Sequence, residues 1–373
     1  MSSSVLTAPP RLPRPIEALE PIEDTTRRQF ITGVGAAALA AAFLAACGDD
    51  DDPAESTPEA TSEVRSIEHM YGTTEITGIP SRVVTVGWTE QDALLALGVV
   101  PVGTTAWVGD APGAIHPWAE DELGDAALPE VLDDGDGIQF ERIATLEPDL
   151  IVALYVPMGL SQEDYNRLSA IAPTIAPPAG VTDGGISWQD LTRTVGIAVG
   201  KEEQAAEVIA SVEARFTQAK EDHPEFVGAL GINAYPSGDS YQAYPPPDPG
   251  GQLMTALGFV VPPVIVEEAA GAAWVEISAE RVSIFDIDVV LWLVEDDAKR
   301  EMLLADPLYA GLDVAKEGRH VFLAYDGPTS VLASATSMQT VLSLPFLLDA
   351  VVPMLAAALD GDPATEPTME GAA

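Results

Sequence analysis

Short apolar runs and helix-period stretches alternate along this chain. Arg82-Val83-Val84-Thr85-Val86 predicts a strand buried on both faces. Gln91 to Leu97 follows as a short helix closed by Gly98, and Val99-Val100-Pro101-Val102-Gly103 predicts the next strand. Phe140 to Ala144 predicts one or two helical turns, stopped by Pro148, before a strand over Asp149–Leu154. This strand–helix–strand rhythm implies a mainly parallel sheet flanked by helices.

From Trp188 to about Lys220 the pattern changes. Leu191, Val195, Val199, Ala205, Val208, Val212 and Phe216 recur at helical spacing, interrupted only by Gly196 and Gly200. Such a stretch is too long for a crossover inside one small domain. After His223-Pro224 the first rhythm returns, with a strand over Val227–Ile232, a helix over Gly251–Leu257, a short helix over Ile277–Val282 and an apolar strand over Asp288–Val294. The same unit thus occurs twice. In Phe140–Val152 and in Ser278–Val290, Glu-Arg opens a turn of helix and an Asp eight residues after the Glu opens a buried strand. Two similar α/β lobes joined by one long rigid helix follow.

The N-terminal segment belongs to neither lobe. Thr26-Arg27-Arg28-Gln29-Phe30 precedes sixteen uncharged residues, Ile31 to Ala46, and then Cys47, the single cysteine. Sixteen helical residues reach roughly 24 Å, short of the roughly 30 Å hydrocarbon core. The form is that of a twin-arginine signal peptide ending in a lipoprotein box, with Cys47 the lipidated first residue of the mature protein. The acidic, Pro-rich stretch beginning at Asp49 cannot order itself and reads as a tether. The expected organisation is a signal peptide over 1–46, a flexible tether over 47–66, an N-terminal lobe over 67–186, a linking helix over 187–222, a C-terminal lobe over 223–360 and a disordered tail over 361–373.

Composition then removes whole classes of function. One cysteine excludes disulfides and cysteine metal sites. The net charge is −42, and four arginines balance four acids before Cys47, so the imbalance belongs to the exported part. Such a chain repels nucleic acid, and few cations remain to receive a highly charged anion. His69, His116, His223 and His320 are too scattered to converge on a metal ion. No Gly-x-Ser-x-Gly elbow, phosphate-binding glycine loop or His-Glu-x-x-His occurs, so no enzyme and no cofactor is expected.

Several landmarks, in order, resemble the helix-backbone (class III) solute-binding proteins of ABC importers. They are Gly78-Ile79-Pro80-Ser81-Arg82-Val83-Val84, Asp92 to Val99, Phe140 to Val152, Leu168 to Thr174, Asp306-Pro307-Leu308-Tyr309, Gly318 to Phe322 and Ser343 to Asp349. The wording around Trp88, Gln91-Asp92, Trp107 and Gly135 to Glu141 is similar to actinobacterial iron–siderophore lipoproteins. The resemblance implies a monomer, lipid-anchored to the outer face of the cell membrane, that captures a ferric siderophore between two lobes and delivers it to a permease. It also implies that Glu141 and Glu280, one on each lobe, dock onto permease arginines. The start of a helical turn favours an exposed carboxylate at both positions.

Aromatic residues at strand ends are the candidates for the ligand's apolar shell. Trp88 and Trp107 follow the first two strands and Tyr155 the third, while Tyr241 lies among Tyr235 and Tyr244 in a Pro/Gly-rich loop and Trp274 precedes the Glu280 helix. Trp188 and Trp292 are expected in packing. Of the arginines, only Arg167 and Arg193 stand near a strand-end loop, which favours a neutral or cationic hydroxamate complex over a triply anionic catecholate. Cobalamin or haem in the same fold remains an alternative ligand. A lipid-anchored hydrolase would have to use Ser330, Ser334 or Ser337 with a distant His320.

Overall fold

In the computed structural model, residues 63–106, 111–132, 137–156, 159–181, 185–246, 248–362 and 365 are described. The leader with Cys47, most of the expected tether, Trp107 and most of the expected tail lie outside the described residues. The first element is an antiparallel hairpin of β1 (Val64–His69) and β2 (Gly72–Thr77). Strand β1 alternates, turning Arg65, Ile67 and His69 inward, so the strand takes in residues 64–66 of the stretch expected as tether.

The first lobe is a five-stranded parallel sheet of β3 (Val83–Thr85), β4 (Gly103–Thr105), β5 (Glu130–Leu132), β6 (Leu150–Val152) and β7 (Thr174–Ile175), in the order β5-β4-β3-β6-β7. Around it lie α1 (Glu90–Ala96), α2 (Glu120–Leu123), α3 (Phe140–Thr145) and α4 (Gln162–Ser169). Strands β3, β4 and β6 are buried throughout, as a sheet covered on both faces requires. The strand expected over Val99–Gly103 starts only at Gly103. Pro101 has no N–H to give a ladder, and the preceding residues carry the chain from α1 back to the sheet.

The helical stretch expected over 187–222 is two helices, α5 (Trp188–Ala198) and α6 (Glu202–Asp222). Gly200 breaks it, with φ +69 and a site where a Cβ would lie 2.7 Å from Ile79 Cδ1. Helix α6 then runs about 31 Å. Its Ala205 and Val208 pack in the first lobe's core, and its Val212, Phe216 and Ala219 pack in the second's. Each end of α6 is anchored by a different core, which makes it the joining element.

The second lobe holds β8 (Gly231–Ser237), β9 (Ser240–Tyr244), β10 (Val275–Ser278), β11 (Val289–Val294) and β12 (His320–Ala324), ordered β10-β9-β8-β11-β12. Strands β8, β11 and β12 are parallel, and β9 is antiparallel to both its neighbours. Packed around them are α7 (Pro249–Ala256), α8 (Pro263–Ala269), α9 (Asp297–Ala305), α10 (Pro307–Ala310), α11 (Asp313–Lys316), α12 (Ser330–Met338) and α13 (Ser343–Leu359).

Three expectations shift here. The strand expected over Val227–Ile232 is preceded by a 3₁₀ turn at Pro224–Phe226 and starts at Gly231. The segment expected as a loop is the β8–β9 hairpin, turned at Gly238 with φ +58. The helix expected over Ile277–Val282 is the end of β10 followed by a 3₁₀ helix, Ala279–Phe285, because Val275 and Ile277 are buried in alternation with exposed Glu276 and Ser278.

The internal repeat has a structural meaning. Asp149 accepts hydrogen bonds from Ser81 N, Ser81 Oγ and Arg82 N, each at 2.8 Å, and Asp288 accepts one from Leu230 N at 2.7 Å. In both lobes the repeated aspartate fastens the start of one strand to the approach of its neighbour. The lobes are also fused: Leu95, Ile115, Trp118 and Ala119 of the first lobe share one apolar cluster with α13 of the second.

Candidate functional site

Open parallel sheets leave their ligand crevice at the carboxyl ends of the strands. On the first lobe those ends are held by Glu90, which is fully buried. Its carboxylate accepts from Thr89 N at 3.1 Å and from Leu154 N and Tyr155 N at 2.8 Å each. Burial raises its pKa, and these backbone donors, with the N–H of Glu90 itself, oppose that shift. A Cβ at Gly87 would lie 2.0 Å from Glu90 Oε1, so only glycine leaves room for this carboxylate. The loop after β3 and the end of β6 are thereby locked together. Trp88 N also donates to Tyr155 O at 3.1 Å, and the two rings sit 6.4 Å apart.

Tyr155 reaches from this edge into a cavity of about 290 Å³ otherwise formed by the second lobe. Tyr244, Gln242 and Asn233 come from the β8–β9 hairpin, Tyr325 from the end of β12, and Ser337 from α12. Trp274 borders the cavity while 53% exposed. The Tyr325 hydroxyl and Ser337 Oγ share a hydrogen bond of 2.6 Å, and the Tyr244 hydroxyl donates to Gln242 Oε1 at 2.8 Å. Helix α7 seals one side. Its Gly250 lies so close to Asn233 that a Cβ would come within 2.2 Å of Asn233 Oδ1.

Asp248 also lines the cavity and caps α7, its Oδ1 accepting from Gly250 N at 2.7 Å. Burial pushes its carboxyl up to about 7, against the opposing Gly250 bond. Burial likewise raises Tyr155 to about 12 and moves Tyr244 and Tyr325 upward, with the Asp248 charge adding to each. Among the described residues, no lysine or arginine lines the cavity.

Of the expected ligand residues, Tyr155 and Trp274 line the cavity and Trp88 stands beside Tyr155, half-buried. Trp107 lies outside the described residues. Tyr241 is corrected: it is buried in the second lobe's core, with Phe285 at 5.4 Å and Trp292 at 5.7 Å between ring centres. The alternation of β9 explains this, since Gln242 and Tyr244 face the cavity and Tyr241 the opposite side. Trp292 is core, as expected, and Trp188 borders a smaller inter-lobe cavity that shares Tyr155 and Pro249 with the first. Tyr325 carried the same signal as Tyr155, a tyrosine ending an apolar strand. Asp248, Asn233 and Gln242 carried no chemical signal in sequence.

Arg167 and Arg193 are both engaged away from the cavity, Arg167 over the Phe140 ring at 3.5 Å and Arg193 with Asp190. Of the hydrolase candidates, Ser337 is bonded to Tyr325, and His320 Nδ1 lies 3.0 Å from the Tyr309 hydroxyl. Glu141 and Glu280 are exposed, each the second residue of its short helix. Their neighbours Arg142 and Arg281 are occupied by Glu130 and Glu268, so neither glutamate is neutralised by the arginine beside it.

The family model described as periplasmic binding protein matches residues 83–325. The chain is 29% identical over 241 residues to the probable siderophore-binding lipoprotein YfiY of Bacillus subtilis (strain 168), covering 61% of this chain and 67% of that protein. A crystal structure of a periplasmic solute binding protein from Mycobacterium smegmatis is 37% identical, with a TM-score of 0.70 over 79% of this chain and 99% of that one. The PiaA protein of Streptococcus pneumoniae TIGR4, solved in complex with ferrichrome, is 29% identical with a TM-score of 0.68, over 80% and 99%.

Proposed function

This chain belongs to the periplasmic binding protein family, and from that premise we propose that it captures a ferric siderophore outside the cytoplasm and presents it to an ABC importer. The cavity carries the reading. Three tyrosines and an exposed tryptophan supply faces for an apolar ligand shell, and amide and hydroxyl groups supply orientation. A cavity lined by a carboxylate and no cation disfavours a triply anionic catecholate complex and favours a neutral or cationic hydroxamate. The names of the relatives point the same way, one a siderophore-binding lipoprotein and one solved with ferrichrome.

Trp88, Tyr155 and Trp274 are the ligand contacts in this reading. Glu141 and Glu280 dock the permease, one from each lobe, while Cys47 carries the lipid that keeps a monomeric receptor at the membrane. Tryptophan fluorescence, titrated with a ferric trihydroxamate and a ferric tricatecholate, tests the ligand class. The trihydroxamate is expected to quench at the lower concentration. Tight binding of the tricatecholate with no response to the trihydroxamate overturns the hydroxamate assignment, and silence towards both overturns siderophore capture.

A further inference from the structure

We propose that Asp248 is the specificity-determining residue of the cleft and selects ferric complexes that carry a protonated amine. The inference rests on the siderophore-binding reading and deepens it. Only Oδ1 of the carboxylate is used by the fold, accepting from Gly250 N at 2.7 Å at the start of α7. No described residue donates to Oδ2. The side chain borders the cavity, and no lysine or arginine among the lining residues balances it. A carboxylate taken partly out of water is costly unless it gains a partner.

The surroundings define what that partner is. Tyr155, Tyr244 and Tyr325 line the same cavity from three different segments, and the charge of Asp248 is felt at all three hydroxyls. Aromatic faces around a carboxylate form a receptor for an ammonium group: the rings attract the cation through their quadrupoles and the carboxylate fixes its position. A ferric ion held by three hydroxamates is neutral at its centre, so an amine on the ligand's tail gives the whole complex one positive charge. The long-range field agrees, since a chain of net charge −42 draws cationic complexes in and repels anionic ones.

The test uses the full chain and two probes, ferrioxamine B with its free amine and the same complex with that amine acetylated, each titrated by tryptophan fluorescence. The native chain is expected to bind the free-amine probe at least about tenfold more tightly. In Asp248→Asn the ratio is expected to fall towards one, because asparagine keeps an acceptor for Gly250 N while losing the charge. Asp248→Ser, a second capping residue without charge, repeats the comparison if the first variant does not fold. A native chain that binds both probes alike, or a ratio unchanged in the uncharged variants, overturns the inference and leaves the siderophore reading standing. A chain that binds neither probe, nor ferrichrome, overturns that reading and this inference with it.

Discussion

Asp92 of α1 and Thr340, between α12 and α13, share a hydrogen bond that crosses from one lobe to the other, and both side chains are buried. The same Asp92 oxygen accepts from Trp118 Nε1 at 2.7 Å. Its other oxygen is buried with no hydrogen-bond partner among the described residues. A carboxylate therefore sits at the lobe junction, in surroundings that suit its protonated form.

That arrangement gives stability a pH dependence. Burial raises the Asp92 carboxyl from 3.8 to about 6, with the Glu122 charge adding to the shift and the Thr340 and Trp118 bonds opposing it. A raised acid is favourable below its unfolded value and becomes a cost as pH rises through its folded value. The native chain is expected to lose on the order of 3 kcal/mol between pH 4 and pH 7 from this group. Denaturant titrations of the native chain and Asp92→Asn at both pH values check it. The variant should lack that share of the slope, and equal slopes would contradict the assignment.

Thr340→Val keeps the shape of the side chain and removes the inter-lobe donor. Leaving Asp92 with one bond fewer is expected to cost about 1–3 kcal/mol at neutral pH. Chemical denaturation measures it, and a loss below a few tenths of a kcal/mol would mean the bond is dispensable.

Glu141→Ala and Glu280→Ala are each expected to lower siderophore uptake by cells while leaving ligand titration curves where they were. Both side chains are exposed, and neither lines the cavity. Uptake of radiolabelled iron measures the first effect and fluorescence the second. Unaltered uptake in the double variant would remove these residues from the docking surface.

Tyr241 and Trp274 separate core from cleft. Tyr241→Ala should destabilise the fold by about 3–5 kcal/mol, as truncating a buried aromatic does, with ligand affinity of the folded protein retained. Trp274→Ala should weaken ligand binding about tenfold or more with little change in melting temperature. The opposite pattern would reverse their placement.

Affinity for an amine-bearing complex should fall as pH drops from 8 to 6, because protons compete with the ammonium for Asp248, whose carboxyl is held at about 7. The groups facing it are Tyr155, Tyr244 and Tyr325, all shifted upward and neutral across this range. In Asp248→Asn the dependence should vanish, which calorimetry at the two pH values would reveal.

The lobes and the repeated Glu-Arg unit were legible because burial on both faces writes continuous apolar runs, whereas the joining helix was overextended, because the helical period of α5 runs on into that of α6 across the break at Gly200. The β8–β9 hairpin was not legible, because Pro236, Gly238 and the run from Pro245 to Gly251 mimic a loop; the pairing of Asn233 to Ser237 with Ser240 to Tyr244 is a tertiary fact. Tyr241 was misread for the same reason: without the strand, its alternation with Gln242 and Tyr244 has no faces to assign. Glu90 and Asp92 stand in the first turn of α1, where an acid is ordinary. Their burial depends on partners at Tyr155 and Thr340, which no local pattern announces.

Helix α6 begins in the core of the first lobe and ends in a cluster to which both lobes contribute. Neither lobe owns a complete interior. Heating should therefore give one calorimetric peak and no half-melted species, and a gene cut at the lobe boundary should yield two chains that each aggregate, not two domains.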